Sequence, residues 1–525
     1  MITTNLRVNS NSGKGVWRAN PFLSNSDDFR KALTQELDSL STSRTTTSLS
    51  PQVQWDSLKQ KIKQLSHHHP INSTQIKVIE GEIANIQQTY MDNLALRASI
   101  QWLEDGEKSA GLLKRITSAR MNERSIPPLQ HPETQEIGSS LTHLYNSVCS
   151  FYGTLYSPTP ISSAAVDDLL EHFPPIGRFS QEVLDTLVAP ITIDELNVQV
   201  ARCLKKSRPG LDGLPYQILE LIFKHEGTQE LIKQTYNNAL DNAIFPESWS
   251  QTCLCLLPKK GDLSLLKNWR PIALTNVDCK IFTRIINSRM ISLADVIINR
   301  YQTGFVHGRY IADNGMLVRL IMDHAHRTNR SDIALLLDGD KAYDWLHPDY
   351  LHRVLLHYGF PSSLVSCIMG LFFGSQIKIN VNGHLSPPIS QQRGVRQGDP
   401  LSPLLFNFTI EPLLQRILHD QDFIGYGISS SFPDKEGPAP AKLLSYADDT
   451  LVFLNNSHDL QLCLQHLDTY AAASNTKINF EKTHAIFLSG NSSATWIQEL
   501  AAHDIHSWHN HNSTSALVYL GYPLY

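Results

Sequence analysis

The stretch Lys442-Leu-Leu-Ser-Tyr-Ala-Asp-Asp-Thr-Leu-Val-Phe-Leu454 holds two adjacent carboxylates between two apolar runs. Leu443 and Leu444 precede them and Leu451 to Leu454 follow, the pattern of a β-hairpin with Asp448 and Asp449 at its tip. Adjacent carboxylates repel, so holding them on a turn between buried strands costs free energy. A divalent cation offsets that cost, because carboxylate oxygens are its natural ligands. A solvated acidic turn has the same local signature, so a second acidic position is needed to choose between the two.

That position lies in Asp332-Ile-Ala-Leu-Leu-Leu-Asp-Gly-Asp-Lys-Ala-Tyr-Asp344. Unbroken apolarity over Ile333 to Leu337 predicts a strand buried on both faces, with Asp338 at its end. If that strand neighbours the hairpin, Asp338, Asp448 and Asp449 converge on two Mg²⁺ ions, for which Mn²⁺ can substitute. Two ions roughly 3.5–4 Å apart hold the attacking and leaving oxygens of an in-line phosphoryl displacement. The backbone carbonyl of Gly339 is a further candidate ligand. Asp340 and Asp344 flank the motif and are expected in supporting roles rather than as ligands.

Further motifs surround these two. They are Arg208-Pro-Gly-Leu-Asp-Gly-Leu-Pro215, Leu257-Pro-Lys-Lys-Gly-Asp262, Asn268-Trp-Arg-Pro-Ile-Ala-Leu274 and Gln302-Thr-Gly-Phe-Val-His-Gly-Arg309. Arg393-Gly-Val-Arg-Gln-Gly-Asp-Pro-Leu-Ser-Pro403, Lys477-Ile-Asn-Phe-Glu-Lys-Thr483 and Tyr519-Leu-Gly521 complete the series. In this order they resemble the polymerase of non-LTR (LINE-type) retrotransposons, a reverse transcriptase, over about residues 190 to 521. Weaker similarity extends upstream, to Trp102-Leu-Glu-Asp-Gly-Glu-Lys108 and faintly to Gly15-Val-Trp-Arg-Ala-Asn20.

The resemblance implies an α+β fold of right-hand polymerase type, with fingers and an antiparallel palm sheet, preceded by a mainly helical N-terminal region. The thumb is expected to be absent or truncated, since the chain stops four residues after Gly521 and also lacks the family's endonuclease. A loss of activity or processivity would follow. The implied reaction is RNA-directed DNA synthesis, in which a primer 3′-hydroxyl attacks the α-phosphate of a dNTP and pyrophosphate leaves. Asp338, Asp448 and Asp449 are then the catalytic, metal-holding carboxylates. The implied partners are an RNA template, a DNA primer or nicked target DNA, and dNTPs. An inactive nucleic-acid-binding remnant, or an RNA-templated RNA polymerase, fits the same motifs.

Charge spread over phosphate oxygens in the transition state calls for cations opposite the metals. Arg270 suits bidentate phosphate contact, and the family pattern makes it the triphosphate contact, with Lys259 a weaker second. Lys259 and Lys260 also read as a solvated turn. By the resemblance, Tyr343 packs against the incoming sugar and disfavours a 2′-hydroxyl. Gly398 permits close backbone approach, and Gln397 is placed to hydrogen-bond nucleotide or template. Lys477 and Lys482 are candidates for delivering a proton to the leaving pyrophosphate, and equally read as surface lysines.

A net charge of −5 is unusual for an enzyme of nucleic acid. Its distribution is not: residues 201–330 hold 18 Lys and Arg against 11 Asp and Glu, a basic block where the resemblance puts the fingers. Trp249, Trp269 and Phe305 fall in that block as candidates for base stacking, at least two of them expected in the core. With 41% apolar residues the chain can bury substantial cores, while no run approaches the ~20 apolar residues of a membrane span. The first twenty residues carry no signal-type apolar core, and seven scattered cysteines make no disulfide framework. A reducing, intracellular compartment is expected, the nucleus if genomic DNA is the target. Cys253 and Cys255 read as packing residues on a strand over Thr252 to Leu257.

Breaks in composition divide the chain into a flexible linker (1–50) and a helical N-terminal region (51–160). An N-terminal extension with fingers (161–330), a palm (331–490) and a final segment opening a truncated thumb (491–525) follow. Lys108, Lys114, Arg115, Arg120 and Arg124 are candidate template contacts or a solvated helix face. Thr192-Ile-Asp-Glu195 is a capping box opening a helix toward Leu204, and one helix is expected over Tyr216 to Ile244. His67 to His69 read as a loop. His503, His506, His509 and His511 match no closed zinc pattern.

Overall fold

The computed structural model describes residues 13, 15–43, 49–69, 125–171, 179–203, 207–428 and 439–524. The segment Trp102–Lys108 and the cations from Lys108 to Arg124 lie outside them. Among the described residues the N-terminal third is mainly helical and the remainder is mixed α and β. All seven cysteines are free.

The expected linker over 1–50 contains a helix, Asp27–Ser43, that buries Phe29, Leu33 and Leu37. Its sequence is polar on average, but these three recur every four residues and make one narrow apolar stripe. A second helix, Pro51–His68, starts at Ser50, whose hydroxyl accepts from Val53 N, and buries Trp55, Leu58 and Ile62. His67 and His68 form its last turn rather than a loop, and His67 stacks on Trp17 with ring centroids 4.1 Å apart.

The Pro51–His68 helix is tied into the fold by a buried charge network. Lys59 Nζ lies 2.8 Å from Asp278 Oδ2 and 3.4 Å from Asp212 Oδ2. The indoles of Trp55 and Trp249 each donate to the same Asp278 oxygen at 2.8 Å. Burial works against the Lys59 charge, but the three carboxylates of Asp278, Asp212 and Asp56 outweigh it and hold its pKa up. Asp212 belongs to the Arg208–Pro215 motif, so one role of that motif is to seat an N-terminal helix.

Half of the capping box at Thr192 is in place: its hydroxyl accepts from Glu195 N at 3.2 Å, but the Glu195 carboxylate pairs with Arg289 instead of turning back to the cap, and the helix runs Ile193–Ala201. The single helix expected over Tyr216 to Ile244 is two, Tyr216–Lys224 and Glu226–Asn242, broken at His225. The Thr228 hydroxyl sits within hydrogen-bond reach of the carbonyls of Ile222 and His225 and closes that break.

The strands, in chain order, are β1 (Leu129–Gln130), β2 (Ile137–Gly138), β3 (Gln251–Pro258), β4 (Trp269–Leu274), β5 (Ile333–Leu337) and β6 (Gly339–Asp340). They continue with β7 (Ser375–Val381), β8 (His384–Leu385), β9 (Ile389–Gln391), β10 (Leu443–Tyr446), β11 (Asp449–Leu454) and β12 (Lys477–Ile478). The last are β13 (His484–Phe487), β14 (Ser507–His509), β15 (Leu517–Tyr519) and β16 (Tyr522–Leu524). One sheet has the order β10-β11-β5-β13-β14 and the other the order β4-β3-β7-β8, with β9 also on β7. The first sheet is not wholly antiparallel: β14 runs parallel to β13 at its edge. As the unbroken Ile333–Leu337 run implies, β5 is central and flanked on both sides.

The largest core packs β5 and β11 against the helix Ser402–His419 and extends continuously to the N-terminal helices. A second core lies between β3, β4, β7 and the helix Leu141–Leu155, with Trp269 inside it. The two sheets thus have separate supports, and Arg270 on β4 lies within electrostatic reach of Asp448 on the β10–β11 hairpin.

Candidate catalytic centre

Tyr446 pairs with Asp449, so the β10–β11 hairpin turns on Ala447 and Asp448 alone. Leu443, Leu444 and Leu451 to Leu454 are buried, and this anchors the register while leaving Asp448 and Asp449 facing water. Thr450 pairs with Leu337 across the β11–β5 ladder. Asp338 emerges one residue past that pair, beside the hairpin tip. Two apolar runs over a hundred residues apart therefore deliver three carboxylates to one sheet end.

The carboxylates feel one another. Asp449 is pushed up to about 6, by lost hydration in the cleft and then by the charges of Asp448 and Asp338. Asp448 is raised by partial burial and by Asp338, with Arg270 pulling it back. Both side chains are reached by water, so these shifts reflect partial rather than full desolvation. Lys482 Nζ lies 3.7 Å from Asp338 Oδ2, an exposed pair. Asn479 N donates to Asp338 O at 2.8 Å, which makes Gly339 and Ile478 the non-hydrogen-bonded pair of the β6–β12 ladder. The Gly339 carbonyl therefore points away from β12. Three carboxylates and a carbonyl are hard oxygen donors of the kind Mg²⁺ and Mn²⁺ take. Among the described residues no three His, Cys, Asp or Glu side chains are already drawn in to ion-binding geometry.

The turn itself is strained. Ala447 has φ +54°, where the first central position of a type II′ turn ordinarily takes Gly, and such a conformation costs about 1–3 kcal/mol. Gln302, fully buried, holds it: Ala447 N donates to Gln302 Oε1 at 2.8 Å, and Gln302 Nε2 donates to Ala447 O at 3.3 Å. The same amide donates to Ser445 Oγ at 2.9 Å, and Thr303 N donates to Ser445 O at 2.9 Å. Gly304 is pressed so closely on the turn that a Cβ there would lie 2.4 Å from Ala447 N. The Gln302–Arg309 motif thus clamps the hairpin turn. Its clearest signal is the Gly two residues after a Gln, which permits backbone-to-backbone approach.

Arg270 and Gln397–Gly398 share one wall. Ala273 N on β4 donates to Gln397 O at 2.8 Å, stitching that turn to the strand that carries Arg270. Gly398 is exposed at φ +100°, and the Gln397 amide donates to buried Asp344 at 3.2 Å. Arg270 is exposed and its charge acts on Asp448, so this wall faces the hairpin tip. Lys259 is exposed, and its amide closes the β3–β4 connection onto Asn268 O at 2.8 Å. Tyr343 is half-buried, stacked on Phe406 at 4.7 Å, and its hydroxyl is raised by burial and by the charge of Asp448. Lys477 lies apart from the carboxylates, its ammonium 5.1 Å from the centroid of Trp345. Arg393 covers the same indole at 3.9 Å and, like Arg396, is buried. Those two arginines bind backbone carbonyls, Leu155 O and Leu371 O, rather than open cleft.

Residues 257–524 match the family described as reverse transcriptase (RNA-dependent DNA polymerase). An uncharacterized 149 kDa protein of transposon TX1 from Xenopus laevis is 31% identical over 412 residues, 77% of this chain and 30% of that protein. A retrovirus-related Pol polyprotein from the type-2 retrotransposable element R2DM of Drosophila melanogaster is 26% identical over 298 residues, 57% of this chain and 26% of the relative. The 132 kDa protein of the retrotransposable element SLACS from Trypanosoma brucei gambiense is 24% identical over 315 residues, 58% of this chain and 24% of the relative. The chain thus spans about a third or less of the length of these relatives. With a family match over half its length, the chain belongs to the reverse transcriptase family, among the proteins of non-LTR retrotransposons.

Proposed function

We propose that this chain carries out RNA-directed DNA synthesis, adding dNTPs to a primer 3′-hydroxyl. The observation that supports it most is the meeting of Asp338 with Asp448 and Asp449 at one sheet end, opposite Arg270. In this reading the β10-β11-β5-β13-β14 sheet is the palm, 331–490 with β14 added from 491–525, and the β3–β4 layer belongs to the fingers, within 161–330. The described helices within 1–50 and 51–160 belong to an N-terminal region, and 491–525 holds the end of the palm and the start of a thumb. Two divalent cations, held by Asp338, Asp448, Asp449 and the Gly339 carbonyl, would supply hydroxyl activation and charge neutralisation.

The chain's own groups do the rest. Arg270 grips the triphosphate as a planar, permanently charged fork, and Lys259 adds a more mobile charge from the strand connection. Gln397 and Gly398 form the floor on which the nucleotide lies, with Gly398 presenting bare backbone. Tyr343, fixed by its stack on Phe406, sets a wall against the sugar and excludes a 2′-hydroxyl. Lys482 is close to Asp338 and is better placed than Lys477 to pass a proton toward pyrophosphate. Template RNA and a primer, or nicked target DNA, would lie along the basic block at 201–330, and action on genomic DNA would require the nucleus. Among the described residues no helix is long and apolar enough to cross a membrane.

Extension of oligo(dT) on poly(rA) with dTTP and Mg²⁺ tests this reading. Elongated product, with UTP used far less well, is the expected result, and Tyr343→Ala should narrow that preference. No product with any template, nucleotide or divalent ion would leave a binding remnant instead.

A further inference from the structure

We infer that Phe305 is a platform for the terminal base of the primer; this rests on the polymerase reading above. Of the three stacking candidates in the basic block, Trp249 and Trp269 are buried, while Phe305 is 51% exposed. Its φ is +56°, a region in which a bulky side chain is a genuine outlier. A large apolar ring left half in water on an unfavourable backbone gains little from burial.

The chain on either side of it is fixed. Gly304 O accepts from Asn407 Nδ2 at 2.6 Å, and Gly304 N donates to Gln302 Oε1 at 3.0 Å. Beyond it Val306 is buried, and Arg309 donates to Gln302 O at 2.7 Å. The strain is thus imposed by contacts that also hold the hairpin turn. Their effect is to stand the Phe305 ring beside Tyr446, with centroids 5.8 Å apart and planes tilted by 43°. Tyr446 is the last residue of β10, two before Asp448.

The position selects the occupant. Gln302 bridges Ser445 alongside β10, so this segment flanks the hairpin on the side away from β5. Arg270, whose charge reaches Asp448, and Tyr343, which feels the charge of Asp448, mark where triphosphate and sugar would lie. In-line displacement sets the nucleophile opposite the leaving group. The primer end therefore enters past Phe305 and Tyr446, and a base has a π-face for an aromatic to stack on.

Fluorescence anisotropy of a labelled RNA–DNA duplex with a recessed DNA 3′ end, without dNTP, tests this on the full chain. Phe305→Gly removes the ring and the backbone strain together. Its Kd should rise on the order of 10-fold while its Tm stays level or increases. Phe305→Tyr should bind as wild type does, and Phe305→Leu should bind as Phe305→Gly does, showing that π-stacking rather than volume is at work. Wild-type affinity in both Phe305→Gly and Phe305→Leu would overturn the assignment, as would a Tm that falls in parallel with binding. Catalytic failure of the wild-type chain alongside these binding shifts would remove the polymerase reading and keep the platform. Normal extension with unshifted binding would do the reverse.

Discussion

Asp449 carries the most readable signature of the site. Its carboxyl sits at about 6 rather than 3.8. The folded state therefore binds this proton more tightly than the unfolded chain does, a stabilisation complete below about pH 4 and lost as pH rises through about 6. Because water reaches the group, the effect is on the order of 1 kcal/mol rather than the full value of the shift. In chelator-treated protein at pH 8, Asp449→Asn should raise Tm by about 2 °C and do nothing at pH 4. A Tm that drops at pH 8 would show that the carboxylates do not repel in the folded state. Gln302 makes the complementary case. Gln302→Ala frees a turn held at positive φ and leaves the Ala447 amide unpaired in the interior. A cost of about 1–3 kcal/mol in stability is expected, together with a loss of extension of about 10-fold or more, because the carboxylates ride on that turn. Extension at full rate in a destabilised Gln302→Ala protein would detach the clamp from the chemistry.

At the level of elements, what the sequence announced was local and apolar. β5 and the β10–β11 hairpin follow from short runs whose burial leaves one register, and Asp338, Asp448 and Asp449 inherit their positions from it. Arg270 and Gln397–Gly398 were visible as motif residues, but the amide that joins their wall, Ala273 to Gln397, spans over a hundred positions and has no local trace. The Gln302 clamp was hidden for the same reason. The Asp27–Ser43 helix was hidden differently, by a polar average that masks a three-residue apolar stripe. The Pro51–His68 helix was legible, but its anchor was not, since Lys59 reads as one more surface charge until Asp278 and Asp212 surround it. Lys59→Met should cost about 3–5 kcal/mol in urea unfolding, since it leaves buried carboxylates without a counter-charge. Adding Asp278→Asn should recover part of the loss. Equal instability of single and double variants would mean the lysine stem, not its charge, seats the helix.

Across the whole molecule, two sheets rest on separate cores, and the chain's weak net negative charge conceals a basic block at 201–330. Binding of an RNA–DNA duplex should therefore fall steeply with salt, and Lys259→Ala should lower the log–log slope by about one. An unchanged slope would place Lys259 off the nucleic-acid path. The acidic cluster at the sheet end remains the feature on which everything else turns. Single-dTTP incorporation onto poly(rA)/oligo(dT) in Mg²⁺, by wild type and by Asp448→Asn checked for native folding by circular dichroism, addresses it most directly. Incorporation by the wild type and none above background by the variant is the expected pair of results; wild-type incorporation by folded Asp448→Asn would contradict a catalytic role for the three carboxylates.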